Sequence, residues 1–344
     1  MECGFQIITD STCDLPKSWV ATHPYVTVVD VPVIVTKGSE SHILRDLGPN
    51  DFWMAETYVK DGFRASTSHP TMYAADLGNL NPEEGIPVSM EEIVRKNVAE
   101  GKDVIYVVMN SALSGAYGTA TPLFQSLQEE YKGSGRKIIC VDSQCMSTGL
   151  ALLLLDIAKG IENGELKDVE QVANFVEKTR AHIGHYFTWG ELSYIKKSGR
   201  VSSVQAMIGT ILGVRLVCSA QYNDEGERKL EHLTPRHTDL VRVRGIGKWA
   251  EVVGIYVHRH IVDPKGPIII AHGNAPRDAH IIHNRLLGYL PSAKYLIGED
   301  WRCGAGIQAH GGPTSIHVNF HVDDVEKLDS TIDEFERIVK NLNR

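Results

Sequence analysis

Three short stretches set hydroxyl or imidazole groups beside glycine or proline. "RASTSHPT" (64–71) gathers Ser66, Thr67, Ser68 and Thr71 around Pro70. "NSALSGAY" (110–117) places Ser114 and Gly115 just ahead of a helix-like run, and "AHGGP" (309–313) sets His310 in a glycine-rich turn. Hydroxyls combined with the free N–H groups of a helix N-terminus bind a carboxylate or phosphate without a formal positive charge, and a glycine lets the anion approach the backbone. Each stretch also has an ordinary reading. Ser and Thr cap helices, here "MYAADLGNL" after Pro70, and a lone histidine is more often structural than functional.

Other chemistries find less support. No GxxxxGK[ST] phosphate loop occurs, and no GxSxG nucleophile elbow. "GAGIQA" (304–309) matches a dinucleotide fingerprint, but the "EDWRC" before it is not strand-like. The pairs His258/His260, His182/His185 and His280/His283 lack carboxylate partners at ligand spacing, so no metal site or cofactor is expected. A serine-type esterase or acyl transferase could recruit Ser114, His310 and Asp142, although nothing in the sequence orients them.

The elements that must position these groups read as alternating strands and helices. "FQIITD", "VTVVDVPVIV", "DVIYVVM" and "KIICVD" are apolar runs typical of strands buried on both faces of a parallel sheet. "AYGTATPLFQSLQEEY" reads as a crossover helix with Pro122 near its first turn, and "STGLALLLLDIAKGI" as a second helix. This βαβ order puts "NSALSG" and "DSQCMSTG" at strand C-terminal ends, where open α/β sheets bind ligands. Further on, "LKDVEQVANFVEKTRAHI" is helix-like, while "HYFTWGEL", "IIIAHG", "SAKYLIGE" and "SIHVNFHV" read as strands. The final segment places Val325, Leu328, Ile332, Phe335, Ile338, Val339 and Leu342 on one helical stripe. The apolar stretch "VQAMIGTILGVRLV" follows the basic turn "KKSGRVSS" and serves equally as core or as the wall of an aliphatic tunnel.

The 344-residue chain is long enough for two domains, divided as residues 1–165 and 166–344 with a junction between about 155 and 180. A net charge of −8 disfavours nucleic acid and anionic membranes as partners. Six cysteines without a CxxC pair read as reduced thiols, and the absence of a signal-peptide pattern agrees with a cytoplasmic location.

Taken in order, the motifs resemble the DegV family, the fatty-acid-binding subunits of bacterial fatty acid kinase. "ITDSTCDLP" (8–16) is similar to the family's opening signature, "TSHP" (67–70) to its TSxP element and "NSALSGAY" to its SSxLSGTY element. "VDSQCMSTGLAL" (141–152) resembles VDSxxxSxGxG, "LSYIKKSGRVS" (192–202) resembles LxxLxKGGRIS, and "AHGGP" matches the late His-x-Gly turn. Asn110, Ala116 and Ser198 depart from the commonest residues, and added length falls near 81–95 and 240–267. The resemblance implies a two-domain α/β protein, an N-terminal Rossmann-like parallel sheet followed by a C-terminal α/β domain with a mixed sheet. A long-chain fatty acid would lie in a tunnel at their junction. Thr67, Ser68, Ser114, Gly115 and His310 would hold its carboxylate, and Arg200 and Arg236 would meet the head group or a partner. The implied partner is an ATP-dependent kinase subunit that makes acyl phosphate, so the chain itself would not be the catalyst. Transient membrane contact for lipid exchange, or a lipid-responsive regulatory role, is also compatible with the resemblance.

Overall fold

The computed structural model describes residues 4–44, 61–67, 89–191, 194, 214–222, 228–232, 243–323 and 328–342. Ser68, Arg200, Arg236, the segment "MYAADLGNL" and nearly all of "KKSGRVSSVQAMIGTILGVRLV" lie outside these residues. The protein is α/β and divides into two compact units. The first comprises Met1–Met146, Leu153–Arg180 and Gly304–Ala309, and the second Ser147–Leu152, Ala181–Cys303 and His310–Arg344.

The first unit contains β1 (Phe5–Asp10), α1 (Lys17–Thr22), β2 (Val26–Val29), β3 (Val33–Lys37), β4 (Glu40–Leu44), β5 (Arg64–Thr67), α2 (Met90–Ala99), β6 (Asp103–Val108), α3 (Ala116–Glu130) and β7 (Ile138–Asp142). It also holds most of α4 (Ser147–Glu162), whose first turn belongs to the second unit, and α5 (Val169–Thr179). Strands β2-β1-β6-β7 form a parallel sheet in that order. Ile8, Val104, Tyr106 and Val108 pack from it onto Val94 of α2 and Phe124 and Leu127 of α3. The apolar runs expected to be buried strands are therefore strands.

Two expectations are corrected here. "VTVVDVPVIV" is not one strand. Val31 N donates to Ser11 Oγ (2.9 Å), outside any ladder, and Pro32 has no N–H to give. The chain breaks there, and β3 starts a separate antiparallel sheet, β4-β3-β5. Pro122 lies inside α3, beyond its first turn. The residue four before it, whose carbonyl the ring would crowd, is the exposed Gly118.

The second unit contains β8 (Ile183–Thr188), β9 (Val214–Arg215), β10 (Cys218–Tyr222), β11 (Arg228–His232), β12 (Val243–Arg244), α6 (Gly245–His260), β13 (Pro267–His272), α7 (Pro276–Tyr289), β14 (Lys294–Leu296), α8 (Ala305–Gly311, whose first five residues belong to the first unit), β15 (Ile316–His321) and α9 (Leu328–Leu342). Its sheet, β11-β10-β8-β15-β13-β14, is antiparallel except for β13 with β14. Tyr186, Ile316, Val318 and Phe320 on one face pack on Trp249, Val253 and Tyr256 of α6, Ile282 of α7 and Phe335 and Ile338 of α9. Most of the stretch 240–267, read as added length, is therefore helix α6 at the centre of this core. Among the described residues no helix is long and apolar enough to cross a membrane.

Candidate anion-binding site

In the parallel sheet, β1 leads to β2 on one side, while β6 and β7 follow on the other. The C-terminal ends of β1 and β6 thus meet where the strand order reverses, the place where open sheets leave a crevice for ligands. Asp10 ends β1 and is buried. It caps the short helix Ser11–Cys13, accepting from Thr12 N (3.0 Å), Thr12 Oγ1 and Tyr106 OH (2.9 Å). Burial pushes the Asp10 pKa up, and these donors offset part of that cost. The dense polar run "TDST" after an apolar strand is an N-cap pattern that could have revealed this role. Asp14, at φ +53, accepts from Gly304 N (2.8 Å) at the start of α8.

Beyond β6 the chain makes a tight turn. Asn110 O accepts from Leu113 N and Ser114 N (both 3.1 Å), and Asn110 Oδ1 accepts from Ala112 N (2.8 Å). The next strand end holds this turn. Asn110 N donates to Cys145 O (2.8 Å) and Asn110 Nδ2 to Gln144 O (3.3 Å). Ser114 Oγ accepts from Ala116 N (3.3 Å). Among the described residues no acceptor takes the Ser114 hydroxyl proton, and Gly115 N–H has no backbone acceptor. Ser114 is half-buried and Gly115 exposed at the N-terminus of α3. Gly115 has φ −69°, so its value there is the missing side chain, not left-handed freedom. Two donors therefore stand at one helix N-terminus, where the dipole favours an anion.

Thr67 is half-buried at the end of β5, paired with Val33. Ala305 and Ala309 of α8 pack in the first unit on Val33 and Val35 of β3, Ala65 of β5 and Phe63 just before it. His310 follows Ala309 in the last turn of α8, half-buried, and is assigned to the second unit. After it, Gly312 (φ +76°) lies so close to the Tyr194 ring that an added Cβ would approach it to 2.6 Å. Thr314 Oγ1 accepts from Gly190 N (3.0 Å) and Glu191 N (3.1 Å). The glycine turn is thus fitted against the end of β8.

Asp142, which a hydrolase reading would recruit, is engaged by the turn: Oδ1 accepts from Ser111 N (3.2 Å) and Gln144 N (2.9 Å), Oδ2 from Ser111 Oγ (2.6 Å). Asp142 is an anchor for the turn. Among the described residues no group of three or more His, Cys, Asp or Glu side chains is arranged to hold a metal ion.

The "STG" of residues 147–149 has a packing role. Thr148 Oγ1 donates to Asn319 Oδ1 (2.7 Å), and Asn319 Nδ2 donates to Gly184 O (3.2 Å). A Cβ on Gly149 would overlap Cε1 of the His185 ring.

The family model described as "Uncharacterised protein, DegV family" matches residues 83–321. This chain belongs to the DegV family. A DegV domain-containing protein of Clostridium perfringens is 26% identical over 323 residues, covering 94% of this chain and 99% of that one. Among solved structures, a DegV family protein from Eubacterium eligens loaded with heptadecanoic acid matches with a TM-score of 0.70 at 16% identity, covering 93% of this chain and 100% of its own. The Streptococcus pneumoniae fatty acid kinase B3 protein, loaded with linoleic acid, matches with a TM-score of 0.68 at 17% identity, covering 93% and 99%. The fold is the DegV fold, a parallel sheet followed by a mixed sheet.

Proposed function

We propose that this DegV protein holds a long-chain fatty acid and presents its carboxylate to a separate ATP-dependent kinase subunit. The observation that carries the reading is a pair of donors, Ser114 Oγ–H and Gly115 N–H, that meet no acceptor among the described residues, at the N-terminus of α3 beside the strand-order reversal. Fatty acids in the Eubacterium and Streptococcus relatives supply the ligand class. By the resemblance to the family, Thr67, Ser68 and His310 would complete the head-group set, and Arg200 and Arg236 would meet the head group or the kinase.

Energetics divide the work. Neutral donors contribute about 1 kcal/mol each, somewhat more to an ion. A tail of roughly fourteen carbons offers on the order of 10 kcal/mol at about 0.8 kcal/mol per buried methylene, before ordering costs. The donors orient the head and the tail supplies affinity. A cradle without a bidentate guanidinium leaves one carboxylate oxygen able to attack a phosphoryl group. The chain then acts in the cytoplasm as a substrate carrier with no cofactor of its own, meeting membranes only to exchange lipid.

Lipid extracted from the purified protein and weighed by mass spectrometry should contain a stoichiometric long-chain fatty acid. Ser114→Ala should lower acyl-phosphate formation with a fatty acid kinase subunit and ATP. An empty protein, or one whose Ser114→Ala variant supports normal phosphorylation, removes the proposal. Fatty acid bound without any acyl phosphate would point to the regulatory role.

A further inference from the structure

We propose that Asp142 is a positioning residue that aims the Ser114–Gly115 donor pair, a role that rests on the fatty-acid reading above. The turn from Asn110 to Ser114 leaves Ser111 exposed at its outer corner. By residue type Ser111 is as good a head-group donor as Ser114. Its hydroxyl proton is instead spent on Asp142 Oδ2 (2.6 Å), while Ser111 N donates to Oδ1 (3.2 Å). The carboxylate therefore grips one residue of the turn through both of its oxygens. The other two serine-loop donors, Ser114 Oγ–H and Gly115 N–H, meet no acceptor among the described residues.

The grip is firm because the anchor is itself fixed. Asp142 ends β7 and is 9% exposed. Arg180 Nη1 donates to its carbonyl (2.8 Å), Gln144 N donates to its Oδ1 (2.9 Å), and Ser143 N donates to Val108 O at the end of β6 (2.9 Å). Three donors converge on the side chain, two N–H groups on Oδ1 and the Ser111 hydroxyl on Oδ2. An asparagine could keep both N–H groups on its oxygen, but its NH2 would donate to Ser111 Oγ, reversing that bond and releasing the Ser111 hydroxyl proton. Hydrogen bonds to an ionised acceptor are stronger than neutral ones, so Asp142 adds to the restraints that Asn110 already places on the turn. The negative charge is spent on these donors and is not offered to the ligand.

Delipidated wild type, Asp142→Asn, Ser111→Ala, Ser111→Thr and Ser114→Ala should be titrated with palmitate and with its methyl ester, which lacks the anionic head. Asp142→Asn and Ser111→Ala should each bind palmitate about tenfold more weakly, the worth of one hydrogen bond to a charged group. Both should bind the methyl ester like wild type, and Ser111→Thr should restore palmitate binding. In a Ser114→Ala background, Asp142→Asn should add little. The proposal is overturned if Asp142→Asn binds palmitate as wild type or more tightly, if both ligands weaken together, or if the two substitutions act independently. Wild-type protein that binds no palmitate overturns the fatty-acid reading first, and this one with it.

Discussion

At the ends of β1 and β7, Asp10 and Asp142 each gather three hydrogen-bond donors, whereas His317 Nε2, inside β15, is buried with no partner among the described residues. The first region places its polar groups where strands stop and backbone donors are free. The second places its histidine inside a ladder whose backbone groups already pair with each other. The difference teaches that a polar residue's contribution depends on the supply of unspent partners more than on its type. A strand end turns a carboxylate into an anchor. A strand interior turns a histidine into a neutral packing group, with His317 stacked on Phe187 at 5.7 Å.

Three substitutions test that contrast. The largest effect is expected at Gly149, where any side chain must displace the His185 ring. Gly149→Ala should cost more than about 3 kcal/mol, read as a lowered urea midpoint. A midpoint like wild type would mean the ring has room to move and the second unit is packed more loosely than described.

Next is the pH dependence of His317, whose pKa burial alone lowers from 6.5 to about 4. As pH falls below 6.5 the unfolded chain takes up the proton first. Stability should therefore drop between about pH 6.5 and pH 4 and level off below, by about 3 kcal/mol in all. His317→Phe should flatten that part of the stability curve. An unchanged slope would assign acid sensitivity to other groups and break the contrast.

Asp10→Asn is expected to cost less, about 2 kcal/mol, because one acceptor oxygen remains while an NH2 group faces a donor. Chemical denaturation measures it. A neutral outcome would show that an amide serves the Thr12 and Tyr106 hydroxyls as well as the carboxylate does, and would sharpen the picture of that strand end.

Much of the fold was legible in the sequence. "DVIYVVM" and "KIICVD" became β6 and β7 because continuous apolar runs suit strands covered on both faces. The terminal stripe became α9, with Phe335, Ile338 and Val339 in the core. Ends were less legible. "HYFTWGEL" stops pairing at Thr188, and "SAKYLIGE" pairs only over Lys294–Leu296. The sequence also could not show that Asp142 belongs to Ser111, because the two lie 31 residues apart and meet only when β6 and β7 pair.

Local chemistry alone determined that hydroxyls and glycines follow buried strands and that the helices alternate with them, since periodicity and capping are properties of neighbours in the chain. Which hydroxyl keeps its proton was decided only by tertiary structure. Ser111 and Ser114 are the same residue type three positions apart, and the carboxylate that takes the proton of one comes from another strand.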